Sequence, residues 1–342
     1  MSSSCAPSGL IHGCWQLARE HRSQPWPPTD IVDSLARLVV ESEGVVTFDC
    51  ADIYTGVEEL LGQVRQRLEG DARLTALRVH TKFVPDLDRL ESLSRADVKA
   101  GIERSVERLG VHPLPLVQYH WWNAAVDRYV DVAHWLAELV EEGWIERLGA
   151  TNFTTAMLRR MLDAGVPIGS HQIQYSLLDG RPAGEMFELC RDRGVDLLCY
   201  GTAAGGFLGE RWLGAADPGS EPGNRSLTKY RLMIEEMGGW ASLQELLRAL
   251  KERAGTAPLA LAAAAWTLQR PGVRAVILGW RDVESALEAR RHLAGAELQQ
   301  LVGDFEAPSG CAPVQGDVYQ LERDPGRHSA ILKTNLNDDT ER

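Results

Sequence analysis

The sequence predicts an α/β chain of repeated βα units, and a (β/α)8 barrel is the architecture that fits it best. Short apolar runs alternate with amphipathic stretches, the signature of a parallel sheet crossed over by helices. The runs number about eight, the strand count of such a barrel. No G-x-G-x-x-G follows the first of them, which weighs against the alternative, a doubly wound open sheet binding a dinucleotide at that turn. At 342 residues the chain is long for an ordinary domain, yet a single barrel commonly needs about 250 or more.

Strands are expected near residues 10–15, 45–49, 77–83, 115–120, 145–150, 170–175, 195–200 and 274–278. The helices between them carry clearer signals. Pro28-Thr29-Asp30 opens a stretch with Ile31, Leu35, Leu38 and Val39 at helical spacing. Leu60, Leu61, Val64 and Leu68 share one side of a helix that starts at Glu58. Ser94-Arg95-Ala96-Asp97 reads as a capping box ahead of Val98, Ile102, Val106 and Leu109, with Gly110 as the stop. Residues 127–142, 154–164 and 184–193 continue the rhythm. Residues 201–230, rich in Gly, Pro and Ser, form a long βα connection of the kind that often carries function. Beyond Ala307 the periodicity fades. Residues 8–306 are therefore expected to form the barrel, and 307–342 a tail packed on or near it.

Hydrophobic content of 44% and charged content of 25% are those of an ordinary globular chain. No run approaches the ~18 apolar residues of a membrane span, and the first residues lack the basic start and apolar core of a secretory signal. Six cysteines are scattered without a C-x-x-C pair. Cys14, Cys50 and Cys199 lie in apolar, strand-like contexts that suit reduced thiols, which points to the cytoplasm or a similarly reducing compartment. A net charge of −12, from 36 basic and 48 acidic residues, disfavours nucleic acid and anionic lipid as partners. It does not exclude an anionic cofactor, which backbone dipoles and one or two arginines can hold locally.

The stretch from Thr47 to Tyr54 carries the most chemistry. An apolar run ends in Asp49, and Tyr54 follows five residues later. A strand ending there holds both at the carboxyl edge of its sheet, where barrels and open sheets build their sites. The run from Val79 to Phe83 supplies Lys82, and the run from Leu116 to Trp121 ends in His120. A phenol has an ordinary pKa near ~10; a cation beside it favours the phenolate. Each residue alone has a duller reading, as a packing tyrosine, an ion pair or an interior histidine. Four such groups at the ends of three successive runs make a specific pattern. Asp52, His80 and His112 are expected to be peripheral.

In this order the segments resemble the aldo-keto reductases. The likeness continues through Gly149-Ala150-Thr151-Asn152-Phe153, His171-Gln172-Ile173-Gln174-Tyr175 and Val276-Ile277-Leu278-Gly279-Trp280-Arg281. It covers roughly residues 8–300 and, with the alternating pattern, favours the barrel. The resemblance implies reduction of aldehyde and ketone carbonyls with NADP(H), NAD(H) being the second choice, and no metal. It makes Tyr54 the general acid, Lys82 the cation that lowers its pKa, Asp49 the anchor of the lysine and His120 a donor to the carbonyl oxygen.

Under the same resemblance Thr151, Asn152 and Gln172 hydrogen-bond the nicotinamide carboxamide, and Tyr200 stacks on the ring. Gly201 opens a small-residue loop that backbone can bring close to a pyrophosphate. Gly279 and Arg281 precede a helix over 283–293 whose free N–H groups, with Arg281, would take the 2′-phosphate; Glu288 matches an adenine contact. The chain departs from the family at Leu278, where proline is common, and at Ala289, where asparagine is common. Its cationic cluster around a 2′-phosphate is thin. Trp15, Trp121 and Trp122, at strand ends, are expected to line an aromatic substrate pocket. Tyr319 and Leu321 in the tail are given no substrate role. The alternative function is a regulatory or sensing protein of the same fold with slow or no turnover. A metal-dependent hydrolase would need clustered ligands at strand ends, where only His120 and His171 lie.

Overall fold

The computed structural model describes residues 9–19, 28–219 and 225–331. Eight parallel strands close into a barrel in chain order. They are β1 (Leu10–Gly13), β2 (Val46–Asp49), β3 (Leu77–Phe83), β4 (Leu116–Tyr119), β5 (Leu148–Thr151), β6 (Ile168–Gln174), β7 (Asp196–Tyr200) and β8 (Val273–Gly279). Each expected strand is present. Pairing of β1 with β8, from Leu10 opposite Val276 to Gly13 opposite Gly279, closes the ring and rules out the open sheet.

Side chains alternate across each strand, and that alternation sorts the core. Leu10, Val117, Cys199 and Val276 pack outward against helices, while Ile11, Leu116, Leu198, Ala275 and Ile277 form a separate apolar plug. Two residues further along the same inward parity come Gly13, Gln118, Tyr200 and Gly279. The barrel interior thus turns from apolar to polar toward the carboxyl ends of its strands, and this change positions the site.

Helices α1 (Pro28–Glu41), α2 (Val57–Arg67), α3 (Arg95–Leu109), α4 (Tyr129–Glu141), α5 (Thr155–Asp163) and α6 (Glu185–Arg193) fill the crossovers after β1 to β6. The capping box at α3 is present: Asp97 N donates to Ser94 Oγ at 3.2 Å and Ser94 N to Asp97 Oδ2 at 2.9 Å. Three helices follow β7, namely α7 (Arg225–Glu236), α8 (Gly239–Ala254) and α9 (Leu259–Leu268). The expected 201–230 connection therefore runs into α7. After β8 come α10 (Val283–Ala294) and α11 (Ala296–Val302), and the tail carries the short α12 (Gln320–Arg323).

The tail is fastened across the mouth of the barrel. Thr155 donates to Asp317 from its backbone N at 2.9 Å and from Oγ1 at 2.7 Å, Arg181 meets Glu322 at 2.7 Å in a buried pair, and Arg323 donates to the Trp121 carbonyl at 2.9 Å. Among the described residues no helix is long and apolar enough to cross a membrane. Five cysteines fall within them, all free and buried.

Candidate active site

Inward parity on β2, β3, β4 and β6 gathers four polar side chains. Lys82 Nζ donates to Asp49 Oδ2 at 2.6 Å and to the Cys50 carbonyl at 2.8 Å, and stands 5.0 Å from the centre of the Tyr54 ring. The other Asp49 oxygen accepts from Gln118 Nε2 at 2.8 Å and Gln172 Nε2 at 2.7 Å. Asp49 and Lys82 are both buried. A charge is stable out of water only when its partners are this complete.

Burial works against the lysine's charge, but the Asp49 carboxylate and then Tyr54 more than offset it and hold the ammonium above the ordinary lysine value. Burial raises the Tyr54 phenol above free tyrosine, and the nearby Lys82 charge pulls it partway back. The expected lowering by lysine is therefore at work but outweighed by desolvation. Tyr54 keeps its proton at neutral pH, the state an acid needs.

His120 is lowered to about 3 by burial and by Arg323, so its ring is neutral. Its Nδ1 lies 3.1 Å from the Thr151 carbonyl oxygen. A carbonyl only accepts, so Nδ1 carries the hydrogen and the buried, unpartnered Nε2 is left as an acceptor. Donation from His120 to a carbonyl oxygen, expected from the sequence, does not follow from this geometry.

A cavity of about 990 Å³ opens over these groups, at the upper end of the small-molecule range of roughly 300–1,000 Å³. Its lining runs from His120 and Trp122 beyond β4 to Gly279 at the end of β8 and Arg281 and Glu288 beyond it, on opposite sides of the ring. Thr151, Asn152, Gln172, Tyr200 and Gly201 lie between. Asn152 has left-handed backbone (φ 60) and accepts the Tyr200 hydroxyl at 2.9 Å. Gly201 (φ 75) must be glycine, since a Cβ there would sit 2.7 Å from the Tyr230 hydroxyl.

One expectation is corrected here. Trp121 does not line the cavity: it is fully buried in the apolar layer, its Nε1 donating to the Val126 carbonyl at 3.1 Å. The alternation that turns His120 inward turns its neighbour outward. Trp15 and Trp122 do line the cavity, Trp122 edge-on to His120 at 4.3 Å. At the start of α10 one backbone donor is already taken. Asp282 caps the helix, accepting from Ser285 N at 2.7 Å and from Ser285 Oγ at 3.0 Å.

Residues 9–298 match the model of the Aldo/keto reductase family. The chain belongs to that family. It is 27% identical over 237 residues to flagellar radial spoke protein 5 of Chlamydomonas reinhardtii, covering 59% of this chain and 45% of that protein. It is 29% identical over 238 residues to "Probable aldo-keto reductase 1" of Glycine max, covering 67% of this chain and 65% of that one. The chain thus spans less than two thirds of either relative. The holo form of aldo-keto reductase AKR11C1 from Bacillus halodurans shares the fold, with a TM-score of 0.65 and 22% identity over 92% of this chain and 95% of that one.

Within this aldo-keto reductase the structure adds residues to those read from sequence. Gln118 on β4 holds Asp49, and its parity with His120, just past the strand, would have revealed it. Tyr319, given no site role, lines the cavity and stands edge-on to His120 at 5.6 Å. Lys229 on α7 also lines it, with its ammonium 5.0 Å from the centre of the Tyr200 ring. Asp52, His80 and His112 lie outside the lining. Among the described residues no group of three or more His, Cys, Asp or Glu side chains is placed to hold a metal ion.

Proposed function

We propose that the chain is an oxidoreductase that reduces aldehyde and ketone carbonyls to alcohols with NADP(H), NAD(H) being the second choice. The observation that carries this reading is the Lys82 ammonium fixed between the Asp49 carboxylate and the Tyr54 ring at the floor of the cavity. The cavity suits a nicotinamide dinucleotide. It offers the face of Tyr200, the amide nitrogen of Asn152 left over from the Tyr200 bond, and the oxygen of Gln172, whose nitrogen is spent on Asp49 and Gln118. Bound there, the dinucleotide supplies the hydride.

Tyr54 gives its proton to the carbonyl oxygen as negative charge develops on it, and the phenolate left behind faces Lys82. Asp49, held by two amides, prevents the lysine from turning away. Trp15, Trp122 and Tyr319 wall the carbonyl end and favour flat or aromatic substrates. Cytoplasmic residence is proposed alongside, since the cysteines described are free and buried.

The test is consumption of NADPH by the purified chain with a panel of aldehydes. Tyr54→Phe is expected to lose about 10²–10⁴-fold in turnover while NADPH still quenches tryptophan fluorescence. A Phe variant that turns over normally would sink the assignment of the acid.

A further inference from the structure

We propose that Lys229 receives the carboxylate of an anionic carbonyl substrate, so that aldehyde acids are the favoured class for this cavity. The inference rests on the carbonyl-reductase reading and names the substrate class of that same site.

Packing fixes where Lys229 stands. On α7, Tyr230 and Ile234 are buried in the apolar layer, and a Cβ at either Gly201 or Gly205 would lie 2.7 Å from Tyr230. Those glycines admit the tyrosine, and its neighbour Lys229 is carried to the cavity wall with it. There the ammonium lies 5.0 Å from the centre of the Tyr200 ring and 5.7 Å from that of Tyr230. The tail reaches it too, through Glu322 Oε1 at 3.6 Å. Tyr319, at the start of the same short helix α12, stands edge-on to His120. The tail helix thus links Lys229 to the carbonyl end of the cavity.

What this ammonium lacks is a partner of its own. Glu322 spends both oxygens on Arg181, at 2.7 and 3.3 Å, and its distance to Lys229 exceeds that of a hydrogen bond. An ammonium has three donors, and among the described residues no acceptor lies within bonding distance of this one. The other lining cations differ. Lys82 is spent on Asp49 and the Cys50 carbonyl, and Arg211 and Arg281 are exposed, where salt and water screen a charge. The Lys229 side chain is 17% exposed, open to the cavity yet sheltered enough for an ion pair to count. Burial holds it below the ordinary lysine value, with Glu322 opposing, and an incoming carboxylate favours the charged form that burial disfavours. One ammonium matches one negative charge. A phosphate monoester, at about −1.5 to −2, would leave charge uncompensated beside Glu322. Trp15, Trp122 and Tyr319 supply flat walls for the rest of the molecule, so an aromatic aldehyde bearing a carboxylate is the fitting probe.

The test measures kcat/KM of the whole chain with NADPH for para- and meta-carboxybenzaldehyde and for their methyl esters, the same aldehydes without the charge. Lys229→Met is expected to lower the value for the better acid about ten- to hundredfold, the size of a charged hydrogen bond, and to change its ester far less. The loss should fall on KM, because the contact is made in the ground and transition states alike. Comparing the acid-to-ester ratio between chains cancels the intrinsic reactivity of the aldehydes. Lys229→Arg should restore the wild-type ratio, and Lys229→Gln gives the same reading should methionine disturb the fold. A ratio unmoved in a folded neutral variant overturns the proposal while leaving the reductase reading intact. So does a neutral variant in which acid and ester fall together and NADPH binding, followed by tryptophan fluorescence, weakens, since the ammonium would then serve the phosphates of the dinucleotide. A wild-type chain that reduces no aldehyde of either kind overturns the reductase reading, and this proposal with it.

Discussion

Two buried ion networks lie at the carboxyl end of the barrel, and they differ in what their cations face. Arg181 gives Nε to Asp179 Oδ1 at 2.9 Å, Nη2 to Asp179 Oδ2 at 2.8 Å and Nη1 to Glu322 Oε2 at 2.7 Å. Asp179 takes a further bond from Gln174 at 2.7 Å. Glu322 also meets Lys229 at 3.6 Å, and the network fixes the tail to the barrel. Lys82 has three donors and spends two, on Asp49 and the Cys50 carbonyl, leaving the third directed at Tyr54. Burial and charge are common to both. Lys82 lines the cavity and Arg181 does not, and that access separates the reactive network from the structural one.

The comparison predicts different losses. Lys82→Met should cost about 10²–10⁴ in kcat/KM, because the phenolate then forms in a buried place without its cation. Asp49 keeps two amide donors, so binding of the dinucleotide, read by fluorescence, should change little. Turnover surviving in this variant would place Lys82 in the structural class. Arg181→Met should do the reverse. It removes the bidentate partner of Asp179 and the nearest cation of Glu322, which keeps only Lys229 at 3.6 Å, and breaking a buried pair costs about 3–5 kcal/mol. The denaturation midpoint should fall clearly, and a variant as stable as wild type would show that the tail is not fastened by this pair.

The reactive network was legible in the sequence for a physical reason. Asp49, Lys82 and His120 each end an apolar run, and a period of two assigns their faces once the strand is recognised. The same rule would have found Gln118 and excluded Trp121, since residues 120 and 121 cannot both point inward. Tyr319 was not legible: the tail has no periodicity, and contacts such as Asp317 with Thr155, 162 residues apart in sequence, set its place. Helix α9 was hidden differently. LALAAAAWTL is buried on nearly every side, so it shows no amphipathic stripe. The net direction of the Tyr54 shift was also out of reach, because a sequence names a phenol's neighbours but not its depth.

Asp52 sharpens the comparison from a third position, as a carboxyl in this neighbourhood with no close cation of its own. Its Oδ2 accepts from Val84 N at 3.0 Å, while Oδ1 is buried without a partner. Burial, then the charge of Glu58, raises it to about 8, with backbone bonds from Val84 and Ile53 and more distant Arg108 opposing. A folded-state pKa above the unfolded value of ~3.9 means the folded chain holds a proton that the unfolded chain releases. The stabilisation is complete below about pH 4 and is lost as pH rises toward 8. Stability of the wild-type chain should therefore decline between pH 5 and 8 in a denaturant series. Asp52→Asn keeps an acceptor for Val84 N and removes the titration, so its gain over wild type should be greatest near pH 8 and vanish near pH 4. Parallel pH slopes for the two chains would show that Asp52 is already ionised in the fold, and that a buried carboxylate here needs no more compensation than backbone N–H groups supply.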